Sequence, residues 1–324
     1  MESKLYPMKL LGVTRSPIWG GTRLCRAYGK ASNAAPVGES WELTVRHDAV
    51  CLVENGAYAG ERLDALIDRL AQALTGGAFG SSDFPLLIKL IDADAPLSVQ
   101  VHPDDPYAAR VERDRGKSEL WYIVEAEEGA EIIFGLCDGV DSDGFAKALA
   151  DGTLKSVLKH QPVRAGEAYF IPAGMAHSIG RGILIAEIQQ NCDLTYRIYD
   201  YGRRDANGKL RELHIEKALE VVRPFTDAEI NAMRYARACR EERGGELLAA
   251  SEFFRVKKLT LDGEVQKVSR MGVMQHLLCL SDGLELQCDG VSYETRKGDS
   301  WLIPAALDGV SLVGAGCAIV SSVC

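Results

Sequence analysis

Four side chains have the types and spacing of a metal site: Gln100, His102, Glu119 and His177. Two imidazoles, a carboxylate and a carboxamide oxygen suit a borderline divalent cation such as zinc, and such a site can leave room for water or substrate. Because only Glu119 is anionic, a bound metal would keep net positive charge. Polarisation of a carbonyl and stabilisation of an enediolate both require such a charge.

The first two ligands lie in a predicted strand at residues 96–103, which alternates polar and aliphatic side chains and stops at a proline. Side chains of a strand alternate between its faces, so Ser98, Gln100 and His102 share one face. A single Gln or His in a strand is more often a hydrogen-bonded structural residue. A metal site is favoured here because Glu119 and His177 complete a set of four ligands.

The same parity brings further polar groups together on two later strands. Lys117 falls beside Glu119 on one strand face, and Glu187 falls beside Gln189 on another. Whether Lys117 or Glu187 can transfer a proton depends on reach to the reacting atoms and on a pKa set by burial and neighbours.

Length and charge exclude several classes of function. The chain has 324 residues, of which 47% are hydrophobic, so it can form one large or two medium domains with substantial cores. Its net charge of -9 and pI near 5.3 argue against a nucleic-acid or anionic-membrane surface. A small anionic substrate remains open, since a few local cations suffice to bind it.

Cysteine usage and the absence of apolar runs predict the compartment. Nine cysteines without a C-x-x-C pair resemble reduced thiols rather than a disulfide framework. The first residues lack a leader pattern, and no apolar segment approaches the roughly 20 residues of a membrane helix. A soluble cytoplasmic protein is expected, with no membrane partner.

Many short strands with Gly and Pro turns favour antiparallel barrels or jelly rolls, and we expect a mainly β fold of two cupin-type jelly-roll barrels. The helical period at residues 61–74 predicts a covering helix. Residues 202–240 are charged and are predicted to be mostly helical, with Leu213, Lys217, Ala218 and Val221 along the first helix, and to connect the domains.

An internal echo supports two barrels. Residues 164–173 (RAGEAYFIPA) resemble residues 296–305 (RKGDSWLIPA), and the shared phrase looks like the cupin signature. Chance similarity of two strand-turn phrases is the alternative. When the two phrases are aligned, Gly309 stands where the first copy has His177. We therefore predict a catalytic metal-binding domain at 1–240 and a degenerate cupin-like domain at 241–324.

Longer phrases resemble type I mannose-6-phosphate isomerases of the short bacterial form. The phrases lie at residues 96–104, 116–122, 171–178 and 187–200, with weaker matches near residues 19–21 and 38–43. The resemblance implies a zinc site at the four ligands above. It also implies a substrate cleft containing Lys89, Lys117, Glu187, Asp193 and Arg197. The chain departs from the family pattern at Met175-Ala176 and at Cys192.

The resemblance implies interconversion of mannose 6-phosphate and fructose 6-phosphate through a cis-enediol. Lys89 and Arg197 would attract phosphate or the enediolate, Ser98 would bind the substrate, and the proton carrier would be Lys117, Asp193 or Glu187. Each has a structural alternative, such as an edge-strand role for Lys89 or an ion pair for Arg197. A monomer or weak homo-oligomer is expected.

Two other functions are open: an iron-dependent cupin oxygenase and a non-catalytic sugar-binding cupin. An oxygenase needs open metal positions for oxygen and substrate, and the Gln ligand with nearby cations fits a phosphosugar better. A sugar sensor would leave the metal ligands and proton carriers unexplained. Anaerobic turnover and hydrogen exchange at C2 of the sugar distinguish the three.

Overall fold

The computed structural model describes residues 4–30, 36–204, 207–235, 241–242 and 245–323. Over these residues the chain is mainly β, as predicted. The strands are β1 Met8–Leu11, β2 Val13–Arg15, β3 Glu39–Leu43, β4 Val45–Arg46, β5 Ala49–Val50, β6 Leu52–Val53, β7 Leu86–Ala93, β8 Val99–Val101, β9 Glu119–Ala126, β10 Glu131–Leu136, β11 Leu158–Pro162, β12 Ala168–Ile171, β13 His177–Ile179, β14 Ile183–Gln190, β15 Tyr196–Tyr199, β16 Arg234–Tyr235, β17 Glu241–Glu242, β18 Gly245–Ala250, β19 Phe254–Lys267, β20 Gln275–Cys279, β21 Leu284–Cys288, β22 Val291–Glu294, β23 Ser300–Ile303 and β24 Ser311–Val323. The α-helices are α1 Arg23–Ala27, α2 Leu63–Thr75, α3 Asp105–Val111, α4 Ser142–Ala150, α5 Ile215–Val221 and α6 Asp227–Ala232.

The chain packs as two units. The terminal unit contains residues 1–15, 23–90 and 238–324, and the central unit contains residues 16–22 and 91–237. In the terminal unit β1 pairs with both β23 and β6, so N-terminal residues pack with C-terminal ones. The predicted domain boundary at residue 240 falls in 236–240, outside the described residues, and the proposed domain ranges stay a prediction.

In the terminal unit, antiparallel strands run in the order β17-β18-β19-β24-β20-β23-β1-β6, and β21 pairs with β24 and β22. The core of this sheet system includes Leu259, Leu277, Trp301, Leu312 and Val320. The predicted covering helix is α2, which buries Leu63, Leu66, Ile67, Leu70 and Leu74. It ends at Gly76, whose positive φ of 76° is a conformation that glycine adopts without strain.

The central unit contains a five-stranded sheet in the order β11-β10-β13-β8-β15. Beside it, β9 pairs with β12 and β14. One core cluster includes Trp121, Phe134, Tyr169 and Ile185. On β8, Val99 and Val101 are buried in a second cluster with residues of α4 and α5, so the alternation predicted for this strand is confirmed.

The sequence echo corresponds to one repeated local structure. The backbone N–H of Arg164 donates to Glu167 Oε2 at 2.9 Å, and that of Arg296 donates to Asp299 Oδ2 at 3.0 Å. The glycine between each pair has a φ near 90°. The turns lead into β12 and β23, which pair antiparallel with β9 and β20 respectively.

The helical prediction for residues 202–240 is wrong for its first part. Among the described residues of this segment only α5 and α6 are α-helical, and Leu213 precedes the cap of α5 at His214. Asp200 accepts hydrogen bonds from Arg203 and Arg211, so the chain between these residues is held as a loop by side-chain contacts that a helical pattern cannot show.

Candidate active site

A row of three side chains crosses the five-stranded sheet. His177 on β13 and Arg197 on β15 both lie directly opposite Gln100 on β8. Directly opposed residues of antiparallel strands point to the same face, so these side chains share one face. Val99 and Val101 occupy the other face and are buried in the core.

The carboxylate of the cluster comes from the adjacent sheet. Glu119 is the first residue of β9, opposite Ile171 of β12 and Gln189 of β14. Its side chain is fully buried, as is that of His177, and His102 directly after β8 is 1% exposed. Burial of a carboxylate among polar groups requires compensation by hydrogen bonds or a cation.

The ligand atoms converge. Nε2 of His177 lies 3.1 Å from Nε2 of His102 and 3.4 Å from Oε1 of Glu119. Nε2 of His102 lies 3.5 Å from Oε2 of Glu119. Ligand atoms 2.0 to 2.2 Å from a tetrahedral metal are about 3.3 Å from one another. The cluster therefore has the dimensions of a metal site, and its ligand atoms all lie within 4.8 Å of one another.

The tautomer of His177 also fits a metal. Its Nδ1 lies 2.8 Å from the carbonyl oxygen of Met175, an acceptor, so Nδ1 carries the proton and Nε2 presents a lone pair to the cluster. Burial lowers the pKa of His177 to about 3, so the imidazole is neutral at neutral pH. A carboxylate and two imidazole nitrogens at these distances are a ligand set that a divalent cation can bind.

Gln100 adjoins this cluster from β8. Its side-chain Nε2 lies 3.4 Å from Nε2 of His177, and its Oε1 lies 3.5 Å from the hydroxyl of Ser98. The amide orientation with these two atoms exchanged would supply an oxygen ligand. The structure thus brings together all four predicted metal ligands, with Ser98 beside them.

Lys117 lies in the segment between α3 and β9 and reaches the same cluster. Its Nζ lies 3.2 Å from Oε2 of Glu119, and its backbone N–H donates to Pro103. A Cβ on Gly116 would lie 2.4 Å from the backbone nitrogen of Asp105, so this close approach requires glycine. Asp105 also accepts from the backbone N–H of Gly116 at 2.7 Å, which holds this segment against the start of α3.

Two residues of the site have contacts that the sequence did not predict. Trp121 donates from Nε1 to Oε1 of Glu187 at 3.0 Å, and its ring contacts that of His177 edge-on. Gln189 is fully buried opposite Glu119, and its amide donates to two backbone carbonyls of the following turn. Strand parity could also have grouped Trp121 with Glu119, because residues two apart on a strand point to one face.

Two family models match this chain, one in each of its halves. The family model for the catalytic domain of type I phosphomannose isomerase matches residues 8–136, and that for the mannose-6-phosphate isomerase cupin domain matches residues 245–323. The chain is 36% identical to mannose-6-phosphate isomerase of Streptococcus mutans over 92% of both proteins. It is 34% identical to mannose-6-phosphate isomerase ManA of Bacillus subtilis over 97% of this chain and 98% of that protein. This chain belongs to the type I phosphomannose isomerase family.

The solved structures extend the family match to the fold. The crystal structure of mannose 6-phosphate isomerase from Bacillus subtilis superposes with a TM-score of 0.87 and 30% identity, covering 97% of this chain and 99% of that one. This match along nearly the whole chain, together with the cupin-domain model at residues 245–323, confirms the cupin-type architecture predicted from the repeated phrase.

The remaining residues that the family resemblance implied have different surroundings. Arg197 is half-buried and donates from Nη1 to the carbonyl of Glu212 at 2.8 Å. Burial, together with the neighbouring Arg211, lowers its pKa from the ordinary value. Asp193 is exposed in the turn between β14 and β15, outside the buried cluster.

Lys89 belongs to the terminal unit, where it is buried in β7. Its Nζ lies 4.7 Å from the ring centroid of Trp41 and 3.8 Å from Oε2 of Glu39. These contacts show a buried cation with aromatic and acidic neighbours. Its role in phosphate binding stays a prediction.

Over the described part of the chain, no helix is both long enough and apolar enough to cross a membrane.

Proposed function

We propose that this chain interconverts D-mannose 6-phosphate and D-fructose 6-phosphate, as an aldose-ketose isomerase of its family. The observation that carries the proposal is the buried cluster of His102, Glu119 and His177 with Lys117 beside it. A metal-ligand set next to an ammonium group, in a chain matched along its length by named mannose-6-phosphate isomerases, fits this reaction.

Zinc is the metal we propose for this site. Two imidazole nitrogens, one carboxylate and one amide oxygen suit zinc, with Gln100 as the fourth ligand. When bound, the metal would supply a fixed positive charge that stabilises negative oxygen on the sugar. The carbonyl of Met175 would keep the His177 ring in the tautomer that binds metal.

Proton transfer between C2 and C1 needs a base that stays oriented. Glu187, Lys117 and Asp193 are the three candidates. Glu187 is buried, and one of its oxygens accepts from Trp121, which fixes the carboxylate. Lys117 is held beside Glu119, whereas Asp193 is exposed. Buried, fixed geometry supports Glu187 before the other two.

Arg197 is proposed to stabilise the enediolate. It lies opposite Gln100 and so points to the face that carries the ligand cluster. A guanidinium in a partly buried site interacts with developing negative oxygen more strongly than in water. Ser98 is proposed to contact the sugar phosphate from its position beside Gln100, and Lys89 is proposed to contact the phosphate.

We propose a cytoplasmic location and a monomer or weak homo-oligomer, without nucleic-acid or membrane partners. The cysteines in the described part of the chain are free thiols, which supports a reducing compartment. Size-exclusion chromatography with light scattering would test the oligomeric state.

A coupled assay tests the activity. Chelator-stripped protein should produce little fructose 6-phosphate from mannose 6-phosphate, and zinc should restore turnover. In D2O the product should carry solvent deuterium from the enediol step, and turnover should continue without oxygen. Zinc-restored protein that binds the sugar phosphate but neither turns it over nor exchanges its C2 hydrogen would contradict the proposal, as would turnover that requires oxygen.

A further inference from the structure

Arg197 is held by a segment that lies beyond the end of its own strand. Its Nη1 donates to the carbonyl oxygen of Glu212 at 2.8 Å. Its backbone N–H donates to Nδ1 of His214 at 3.2 Å, and the backbone N–H of His214 donates to the carbonyl oxygen of Arg197 at 2.8 Å. Residues 212–214 therefore fix both the backbone of Arg197 and one end of its guanidinium.

The remainder of this guanidinium has a donor to offer a ligand. Nε of Arg197 is buried and donates no hydrogen bond within the described residues. A buried donor without an acceptor costs free energy, which a ligand oxygen would recover. Because Arg197 shares a face with Gln100, an anionic oxygen of a bound sugar is an acceptor that fits. The guanidinium is planar and rigid, so the direction of Nε depends on where Nη1 is held.

The carbonyl of Glu212 lies between two attachment points. One is the pair of hydrogen bonds between His214 and the backbone of Arg197, directly before α5. The other is the preceding residue, Arg211, whose Nε donates to Oδ2 of Asp200 at 2.7 Å and whose Nη2 donates to Oδ1. Two parallel hydrogen bonds between a guanidinium and a carboxylate fix direction as well as distance.

Asp200 is a firm anchor for this segment. It is 5% exposed and directly follows β15, the strand that carries Arg197. Its Oδ1 also accepts from Nη2 of Arg203, and Nη1 of Arg203 donates to the carbonyl oxygen of Pro96. Burial alone would raise the pKa of Asp200, but the hydrogen bonds from Arg211 and Arg203 lower it, so the carboxylate stays charged.

The chain between the two arginines cannot hold the segment by packing. Residues 202, 204 and 207–210 are exposed. Arg204 forms a backbone bridge with Leu210 and donates from Nη1 to the carbonyl oxygen of Gly208, contacts that stay within the loop. Exposed loop residues bury little surface and open easily, so the position of Glu212 depends on the anchors at its two ends.

We propose that Asp200 is a positioning residue for isomerisation: its pair with Arg211 holds the carbonyl of Glu212 where that carbonyl orients the guanidinium of Arg197. The inference rests on the proposed function, in which Arg197 stabilises the enediolate. The hydrogen bonds of the Asp200 carboxylate go to Arg203 and Arg211. Asp200 therefore acts through these arginines and not by contact with the substrate.

Charge and position predict opposite effects of removing this carboxylate. Burial lowers the pKa of Arg197, Arg211 and Arg203 lower it further, and Asp200 opposes the change. Without the negative charge of Asp200 the surroundings of Arg197 would be more positive, which by itself favours an anionic substrate. A fall in kcat would therefore report lost orientation of Arg197.

A double-mutant cycle of Asp200→Asn with Arg197→Ala tests the proposal, because asparagine keeps the shape of the side chain and removes its charge. Asp200→Asn alone should lower kcat on mannose 6-phosphate about tenfold, with metal content unchanged. In Arg197→Ala protein the same substitution should have less than about a twofold effect, since no guanidinium is left to orient. Equal losses in the two backgrounds would overturn the proposal, and so would wild-type kcat in folded Asp200→Asn.

Hydrogen exchange, measured without substrate, separates this proposal from the proposed function. Asp200→Asn should raise the exchange of amides in residues 207–214, among them the N–H that His214 donates to Arg197, and leave β19 as in the wild type. Unchanged exchange in residues 207–214 would overturn the proposal even in an active isomerase. A wild-type protein without isomerase activity would contradict the proposed function, and exchange would still decide whether Asp200 holds the segment.

Asp64→Asn is the matched control, because Asp64 also accepts from both Nε and Nη2 of one arginine, Arg62, at 3.1 and 2.6 Å. It should keep wild-type kcat and wild-type exchange in residues 207–214, and a loss of kcat equal to that of Asp200→Asn would overturn the proposal. Arg211→Gln provides a second test if Asp200→Asn does not fold, because the Arg211 side chain is 23% exposed. We expect its kcat to fall in the presence of Arg197 and not in Arg197→Ala protein, and an equal fall in both would overturn the proposal.

Discussion

The Nδ1 atom of His177 lies 2.8 Å from the carbonyl oxygen of Met175. The partner that fixes the imidazole is thus a backbone atom two residues earlier in the chain. The side chain of Met175 is fully buried in the core cluster of the central unit. The methionine side chain, which departs from the family pattern, therefore affects core packing. The metal-binding tautomer of His177 depends on the backbone carbonyl and not on this side chain.

Met175→Leu should keep full metal content, because the carbonyl contact is unchanged. The free energy of unfolding should fall by less than about 1.5 kcal/mol, as for other volume-conserving core substitutions. Metal analysis and urea unfolding measure the two effects. Loss of metal from a folded Met175→Leu protein would show that the side chain, rather than the backbone, sets the ligand.

Trp121→Phe removes the donor to Glu187 and keeps an aromatic ring beside His177. We expect kcat to fall about tenfold with metal content unchanged, since a lost hydrogen bond to a charged group corresponds to roughly 1.5 kcal/mol or more. Trp301→Phe is the matched control, because Nε1 of Trp301 makes no hydrogen bond within the described residues. If both variants retain wild-type kcat, Trp121 does not position a catalytic Glu187.

The sequence was most informative where the argument was local. Alternation along residues 96–103 correctly grouped Gln100 with His102, because strand parity is a property of the backbone. The sequence could not predict contacts between residues that are far apart in the chain. The loop after Asp200 is held by Arg211, and the acceptor for the His177 ring is a carbonyl, so neither follows from a periodic pattern.

The choice of proton carrier also could not be made from the sequence. Glu187 and Asp193 are both acidic residues near the end of one predicted strand, and their sequence context does not separate them. The structure buries Glu187 and exposes Asp193. Burial depends on which strands pack together, so a choice between the two requires the fold.

Arg197→Ala should lower kcat about 100-fold, by analogy with removal of one donor from an oxyanion site, which corresponds to about 2.7 kcal/mol. Metal content should stay normal. Arg204→Ala is the control, since Arg204 is an exposed arginine that donates to the carbonyl of Gly208. A raised KM with wild-type kcat would instead assign Arg197 to uniform binding of phosphate.

Burial lowers the pKa of His276 to about 3, with Lys30 adding to the effect. Below pH 6.5 the unfolded chain therefore binds a proton that the folded chain does not. The stability that the folded chain gains from keeping His276 neutral is therefore fully present above pH 6.5. It is lost as the pH falls from 6.5 towards 3. Between pH 7 and pH 5 the loss is about 2 kcal/mol.

Urea unfolding of His276→Asn at the two pH values should show a decline in stability smaller than that of the wild type by this amount. His47→Gln is the control, because the His47 side chain is 87% exposed. We expect the control to lose as much stability as the wild type between the two pH values. An equally steep decline in His276→Asn would mean that His276 is not buried in its neutral form.

The central claim is that His102, Glu119 and His177 hold the metal on which isomerisation depends. The most direct measurement is zinc content and kcat on mannose 6-phosphate, determined together for wild type, Glu119→Ala and the control Glu131→Ala, an exposed carboxylate that pairs with His160. We expect wild type and Glu131→Ala to bind one zinc per chain and turn over, and Glu119→Ala to lose most of both. A folded Glu119→Ala protein with full zinc and normal turnover would contradict the account.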